Sequence, residues 1–169
     1  MEDIRGTQED ISIMVSDQSL DNSNRDFRRI VYRPGDILYL ETQKHFVGII
    51  SIYKNLNKNF PRSDQLFFCQ EDTKWQEIQS FLYRCIKDPK KELHCIVKIE
   101  QLSLENQVKF TTLLQKFMRE EMPLDKFELA IIATNSFSHV SDFIKSQDYK
   151  RIIKDTHLLR DQDIREIVH

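Results

Sequence analysis

Glycine is scarce in this sequence. The chain has 169 residues but only three glycines, Gly6, Gly35 and Gly48. Phosphate-binding loops depend on glycine, because backbone N–H groups can close around a phosphate only where no side chain intervenes. Neither GxxxxGK[S/T] nor GxGxxG can be written from this chain. We therefore expect no nucleotide-binding loop of the usual kind and no cofactor bound by these residues.

Cysteine is scarce as well. Cys69, Cys85 and Cys95 make an odd number, and no two of them have the CxxC spacing of a zinc or redox site. This argues against a disulfide framework and favours a reducing compartment, so we predict a cytoplasmic protein. The five histidines are scattered without carboxylates at ligand spacing, and no metal site is predicted.

Long apolar runs and an excess of positive charge are also missing. No stretch approaches the roughly 18 apolar residues that a transmembrane helix needs. The 25 lysines and arginines are offset by 27 aspartates and glutamates, for a net charge of −2. A chain without surplus positive charge has little general attraction for phosphate backbones, so a nucleic-acid partner is not expected. We expect the partner to be a protein.

Short apolar runs alternate with amphipathic helix patterns in the rest of the chain. The strand candidates are residues 65–69, 93–100 and 129–135, with a possible fourth at 151–153. One of the helices begins with Thr73 and Gln76 at the spacing of a capping box. Continuous apolar strands joined by helices are typical of a parallel sheet covered on both faces. We predict an α/β fold, a three-layer αβα parallel sheet of the kind that hosts nucleotide enzymes, without a phosphate-binding loop.

The two ends of the chain differ from its middle. Residues 1–30 are rich in Asp, Ser, Gln and Asn and bury too little to offset their ordering entropy, so we predict a mobile acidic and polar arm. Residues 31–169 are predicted to form a single α/β domain. Its last helix carries Ile167 and Val168 and has no C-cap, so this domain is expected to be incomplete at its C-terminus and to continue toward a P-loop.

Polar residues follow two of the strand candidates. Ligands of open α/β sheets bind beyond the carboxyl ends of the strands, where Glu100 has the place of a Walker B acid and Asn135 that of a polar sensor residue. We expect the two to lie near one another at a solvent-exposed edge. However, only one acid is present where a magnesium-holding Asp and a water-activating Glu are required. Simple capping of strand ends and helices is the favoured alternative, and no catalytic residue is assigned.

A thiol enzyme is disfavoured. His94 and Cys95 are a base and a nucleophile, but neighbouring residues of a strand point to opposite faces and cannot meet. We interpret Cys95 as a small core residue and Trp75 as a packing anchor.

Several segments between residues 60 and 135 follow one another in a characteristic order: Pro61, DQLFFC at 64–69, DTKWQEI at 72–78, LYRC at 82–85, LHCIV at 93–97, QLS at 101–103 and the strand at 127–133. Together they resemble the mysterin family of giant AAA+ RING-type ubiquitin ligases, which implies an AAA+ or P-loop-like α/β fold, here lacking the P-loop. In that family a similar run lies upstream of an AAA+ unit that bears a P-loop. The order and spacing of these segments, rather than any one of them, carry the resemblance.

The resemblance implies a structural part of an ATPase ring and not its ubiquitin-transferring part. ATP and magnesium, and the zinc of the RING, are used in that family by motifs that have no matching positions in this chain. The chain is then a fragment or truncated paralogue, with neighbouring AAA+ units or the ubiquitination machinery as partners. Two other hypotheses stay open: a free-standing protein-interaction module, and a small α/β enzyme with perturbed titratable groups at the strand ends.

Overall fold

A computed structural model describes residues 29–33, 35–119, 127–154 and 157–168. All but the last two residues of the predicted acidic arm, residues 1–30, lie outside these ranges. Of these two residues, Ile30 is buried and donates its backbone N–H to Asn55 Oδ1 at 2.7 Å.

Strands and helices alternate along the described chain. The strands are β1 (Ile37–Glu41), β2 (Leu66–Phe68), β3 (Leu93–Val97), β4 (Glu128–Ala133) and β5 (Lys150–Ile153). The helices are α1 (His45–Asn55), α2 (Trp75–Lys87), α3 (Leu104–Arg119), α4 (His139–Lys145) and α5 (Asp161–Val168). Two short 3-10 helices, Ser63–Gln65 and Ile99–Gln101, precede β2 and follow β3.

The five strands form one sheet in the order β2-β3-β4-β1-β5. The ladders β2–β3, β3–β4 and β4–β1 are parallel, with Ile96 opposite Ile131 and Ile131 opposite Tyr39. Parallel pairing needs a crossover between successive strands, and the helices supply it. The predicted α/β fold with a parallel sheet flanked by helices is thereby confirmed.

The main core lies between one face of the sheet and three helices. Alternate residues of β1, β3 and β4 pack against α2, α3 and α4, whose apolar residues recur at helical spacing. Its fully buried members include Tyr39, Ile78, Phe81, Leu82, Ile96, Phe110, Leu114, Ile131, Val140 and Ile144. Trp75 packs against this core at the start of α2, which confirms its interpretation as a packing anchor.

The chain divides into two compact units. One comprises Tyr32–Gln43 and Pro61–Ile152, and the other comprises Lys44–Phe60 together with the described residues toward the two ends of the chain. In the second unit Ile50, Leu159 and Ile164 form an apolar cluster, and Ser51 Oγ accepts the Leu159 N–H at 2.7 Å. The predicted domain boundaries, 1–30 and 31–169, stay a prediction.

Two local predictions were wrong. The strand predicted over 93–100 ends at Val97, because Lys98 adopts the left-handed conformation with φ 63° and turns the chain into a 3-10 helix. The capping box of Thr73 and Gln76 does not form. The residue before α2 is Lys74, and Thr73 Oγ1 accepts the Gln70 N–H at 2.8 Å instead, which closes the turn after β2.

Candidate functional site at the carboxyl edge of the sheet

The carboxyl ends of β2, β3, β4 and β1 lie side by side along one edge. Pairing continues for one residue beyond each of three strands: Cys69 donates to Val97 O at 2.9 Å, Lys98 to Ile132 O at 2.8 Å and Thr42 to Ala133 O at 2.8 Å. The residues that follow the strands are therefore held in register with one another. This edge is where an open α/β sheet binds its ligands.

Glu100 reaches across this edge to the end of β4. It lies in the 3-10 helix after β3, and its Oε1 accepts the backbone N–H of Thr134 at 3.0 Å. Its other oxygen, Oε2, is buried and has no hydrogen-bond partner among the described residues. The parallel neighbouring strands predicted for Glu100 and Asn135 are confirmed, and Glu100 itself is half-buried at this edge.

Asn135 does not share this contact. Its Oδ1 accepts the backbone N–H of Phe137 at 2.9 Å, which tightens the turn between β4 and α4. Ser138 then caps α4 by accepting the Ser141 N–H at 3.0 Å. Glu100 therefore contacts the backbone of Thr134, the residue before Asn135, while the Asn135 side chain bonds within its own turn.

The residue directly after β3 is a lysine. Lys98 is exposed and occupies the first position beyond the strand, which in a Walker B motif belongs to the magnesium-holding acid. A positive charge there repels a divalent cation. Glu100, the single acid of this segment, lies two residues after Lys98 and accepts a hydrogen bond from the Thr134 N–H.

The connection that follows β1 is too short for a phosphate loop. Only Thr42, Gln43 and Lys44 stand between Glu41 and the first residue of α1, and none is glycine. A P-loop of the form GxxxxGK[S/T] joins its strand to its helix with more residues and depends on their backbone amides. The residues present do not fit such a loop.

A polar network that sequence reasoning missed lies at the end of β1. Glu41 Oε2 contacts Lys145 Nζ at 2.7 Å, Tyr39 Oη at 2.9 Å and Ser141 Oγ at 3.1 Å. Partial burial alone would raise the pKa of Glu41, but the hydrogen bonds from these three groups outweigh it and hold the pKa below its usual value. The signal in the sequence was an acid directly after the apolar run ILYL.

Tyr39 interacts with both carboxylates of this edge, through a hydrogen bond to Glu41 and electrostatically with Glu100. Burial raises the pKa of its hydroxyl, and the charges of Glu41 and Glu100 raise it further, so Tyr39 remains a neutral donor. Its hydroxyl also lies 2.7 Å from Ser141 Oγ.

The cysteines offer no nucleophile. Cys69, Cys85 and Cys95 are buried, and burial raises the pKa of each thiol. His94 is bonded through Nδ1 to the Glu92 carbonyl at 2.9 Å, away from Cys95. The interpretation of Cys95 as a core residue is confirmed.

Two open cavities of about 370 and 320 Å3 lie elsewhere on the protein. The larger lies beside β2 and is lined in part by Phe68, Gln70 and Thr73, whereas the smaller lies on the outer face of α3. Neither is lined by Glu100 or Asn135. Within the described ranges no cluster of His, Cys, Asp or Glu is suited to hold a metal ion, and no helix there is long and apolar enough to cross a membrane.

Comparisons with known proteins add a family. No curated protein matches the chain. A solved structure with some likeness is a DNA polymerase III gamma subunit-related protein from Thermotoga maritima, with 13% sequence identity and a TM-score of 0.48 over 80% of this chain. The match covers 45% of that protein's chain, and nothing about function follows from it.

The family model of the RNF213 AAA domain matches residues 35–151. The matched segment contains all of β1 to β4 and the first two residues of β5. It therefore includes the whole carboxyl edge described above. It agrees with the resemblance of residues 60–135 to a mysterin-like AAA region. The chain belongs to the RNF213 AAA domain family.

Proposed function

We propose that this chain is a non-catalytic AAA-type module of a mysterin-type ATPase and ubiquitin ligase, which serves as a structural part of the ring upstream of an ATP-binding unit. The observation that carries the proposal is the replacement of the nucleotide-handling groups at the carboxyl edge. The proposed cytoplasmic location rests on the three free cysteines, and the proposed place in a longer protein rests on the mysterin resemblance.

Three positions at this edge support a non-catalytic role. The connection after β1 has no glycine, the residue after β3 is the cation Lys98, and the carboxylate of Glu100 accepts a backbone N–H from Thr134. Phosphate binding needs glycines in the connection after β1, magnesium binding needs an acid in place of Lys98, and activation of water needs a carboxylate that is free to contact the water. These three features together disfavour both binding and hydrolysis of ATP.

Neighbouring AAA units of the same assembly are the partners we propose. A module that keeps the sheet and helices of the fold but not its nucleotide loop contributes surfaces rather than chemistry. Neither a metal nor a nucleic-acid partner is included in the proposal.

The second candidate is a free-standing protein-interaction module. Phe137 favours it, because this side chain is 87% exposed while the turn that carries it is fixed by Asn135 and Ser138. Leu104 and Val108, one turn apart on α3, are exposed as well. Apolar side chains held rigidly in solvent are typical of contact surfaces.

Calorimetric titration of the chain with ATP and magnesium tests the non-catalytic role. We expect no saturable heat and no release of phosphate. Saturable, magnesium-dependent binding at micromolar affinity would overturn the proposal. A Glu100→Gln variant serves as the control. An ATP site at this edge would lose its magnesium dependence in that variant, and an ATP site elsewhere would keep it.

A further inference from the structure

The network at the end of β1 joins residues that are far apart in sequence. Tyr39 and Glu41 belong to β1, and Ser141 and Lys145 belong to α4, about 100 positions later. Tyr39 and Ser141 are fully buried, whereas Glu41 and Lys145 are 31% and 41% exposed. The charged pair thus covers two buried hydroxyls from the solvent side.

The network has two hydroxyl hydrogens for three oxygen–oxygen contacts, so the Tyr39 hydrogen is shared between two acceptors. The Ser141 hydroxyl donates to Glu41 Oε2, and the Tyr39 hydroxyl has both Glu41 Oε2 and Ser141 Oγ as acceptors. The Lys145 ammonium adds a charge-assisted bond of 2.7 Å to the same carboxylate oxygen. Such bonds are about twice as strong as neutral ones, so Glu41 is the group on which the network depends.

Helix α4 needs contacts of this kind in order to stay folded. It has seven residues, and so short a helix is not stable on its own in water. Val140 and Ile144 anchor it in the core, but apolar contacts are not directional. On its other side α3 supplies two polar contacts, from Gln107 Oε1 to the Val140 N–H at 3.2 Å and from Thr111 Oγ1 to His139 Nε2 at 3.0 Å.

The α3 contacts hold the first residues of α4, whereas the last turn of α4 contacts β1. His139 and Val140 begin the helix, whereas Lys145 is its final residue. The Glu41–Lys145 pair therefore joins the end of the helix to β1, and Ser141 adds a second contact to the same carboxylate from the middle of the helix.

We infer that Glu41 and Lys145, with the hydroxyls of Tyr39 and Ser141, form an ion-pair lock that keeps α4 folded against the carboxyl end of β1 without any bound ligand. The lock limits local opening of α4, because breaking the pair removes the ion pair that joins the last residue of the helix to β1. It goes beyond the proposed function, since it concerns how this edge is held whether or not the chain binds a nucleotide.

Native-state hydrogen exchange of the ligand-free chain tests the lock. We expect Glu41→Gln and Lys145→Met each to speed exchange of the α4 amides about tenfold, with the small urea dependence that marks a local opening. Because the two residues act as a pair, the double variant should exchange no faster than the faster single variant. Lys145→Arg keeps the charge and should exchange close to the wild-type rate.

Lys109→Met is the matched control. It removes the same charge from an exposed i,i+4 pair on α3, in which Lys109 Nζ lies 3.2 Å from Glu105. We expect this variant to leave exchange in α4 unchanged. Unchanged α4 exchange in both Glu41→Gln and Lys145→Met would overturn the inference. So would α4 exchange with the urea dependence of global unfolding, which would indicate that α4 opens only when the whole protein unfolds.

Discussion

The carboxylate of Glu100 accepts a hydrogen bond from the backbone N–H of Thr134 at 3.0 Å and so connects the segment after β3 to the end of β4. This contact gives Glu100 a structural role that does not require a ligand. It also fixes the first residue of the turn that leads to α4. The position that sequence reasoning associates with catalysis is thus part of the scaffold.

Replacement of Glu100 by alanine should destabilise the protein by about 1–3 kcal/mol, because the Thr134 N–H loses its carboxylate acceptor. Glu100→Gln keeps an acceptor oxygen and should stay within about 1 kcal/mol of the wild type. Urea unfolding followed by circular dichroism measures both. Glu105→Ala, at an exposed position of α3, is the control and should change stability by less than about 0.5 kcal/mol. Equal losses in Glu100→Ala and the control would contradict the structural role.

Much of this fold could be predicted from sequence because its strands are continuous apolar runs. LHCIV and ELAIIA have nearly all their residues buried, so their hydrophobicity alone indicates central parallel strands. The start of helix α3 follows from a local signal as well, since Ser103 is a residue type that favours the N-cap and accepts the Asn106 N–H at 3.1 Å.

The site was harder to predict because its contacts depend on register and on the end of each strand. The turn at Lys98 requires a left-handed conformation that lysine rarely adopts, and no local pattern indicates it. The contact between Glu41 and Lys145 depends on how far α4 extends after β4. Such long-range pairing becomes visible only once the sheet order is known.

The Glu41 network should make stability depend on pH. The pKa of Glu41 is lower in the folded chain than its ordinary value of 4.5, so the network contributes fully above pH 4.5 and is lost as the pH falls through the folded pKa. We expect the stability difference between the wild type and Glu41→Gln to be constant at neutral pH and to shrink below pH 4.5. Urea unfolding at several pH values measures it. A difference that grows on acidification would contradict the assignment.

Lys98→Gly should stabilise the protein by up to about 1 kcal/mol. A left-handed conformation costs a residue with a Cβ about 1–2 kcal/mol, and the greater freedom of glycine in the unfolded chain offsets part of this gain. Thermal unfolding is the measurement. Lys90→Gly is the matched control, because Lys90 is not among the positive-φ residues and glycine there should lower stability instead. A loss in both variants would show that the lysine side chain itself stabilises this turn.

Val97→Asp should abolish cooperative folding. Val97 is fully buried in β3, where it pairs with Phe68 on one side and Ile132 on the other, so an aspartate there has no water and no cation to stabilise its charge. The penalty of several kcal/mol is comparable to the whole stability of a domain of this size. Val108→Asp makes the same change at a position that is 43% exposed on α3 and should cost less than about 1 kcal/mol. Far-UV circular dichroism and thermal melts of the two variants decide the matter, since a cooperative melt of Val97→Asp near the wild-type temperature would mean that this strand is not part of the core.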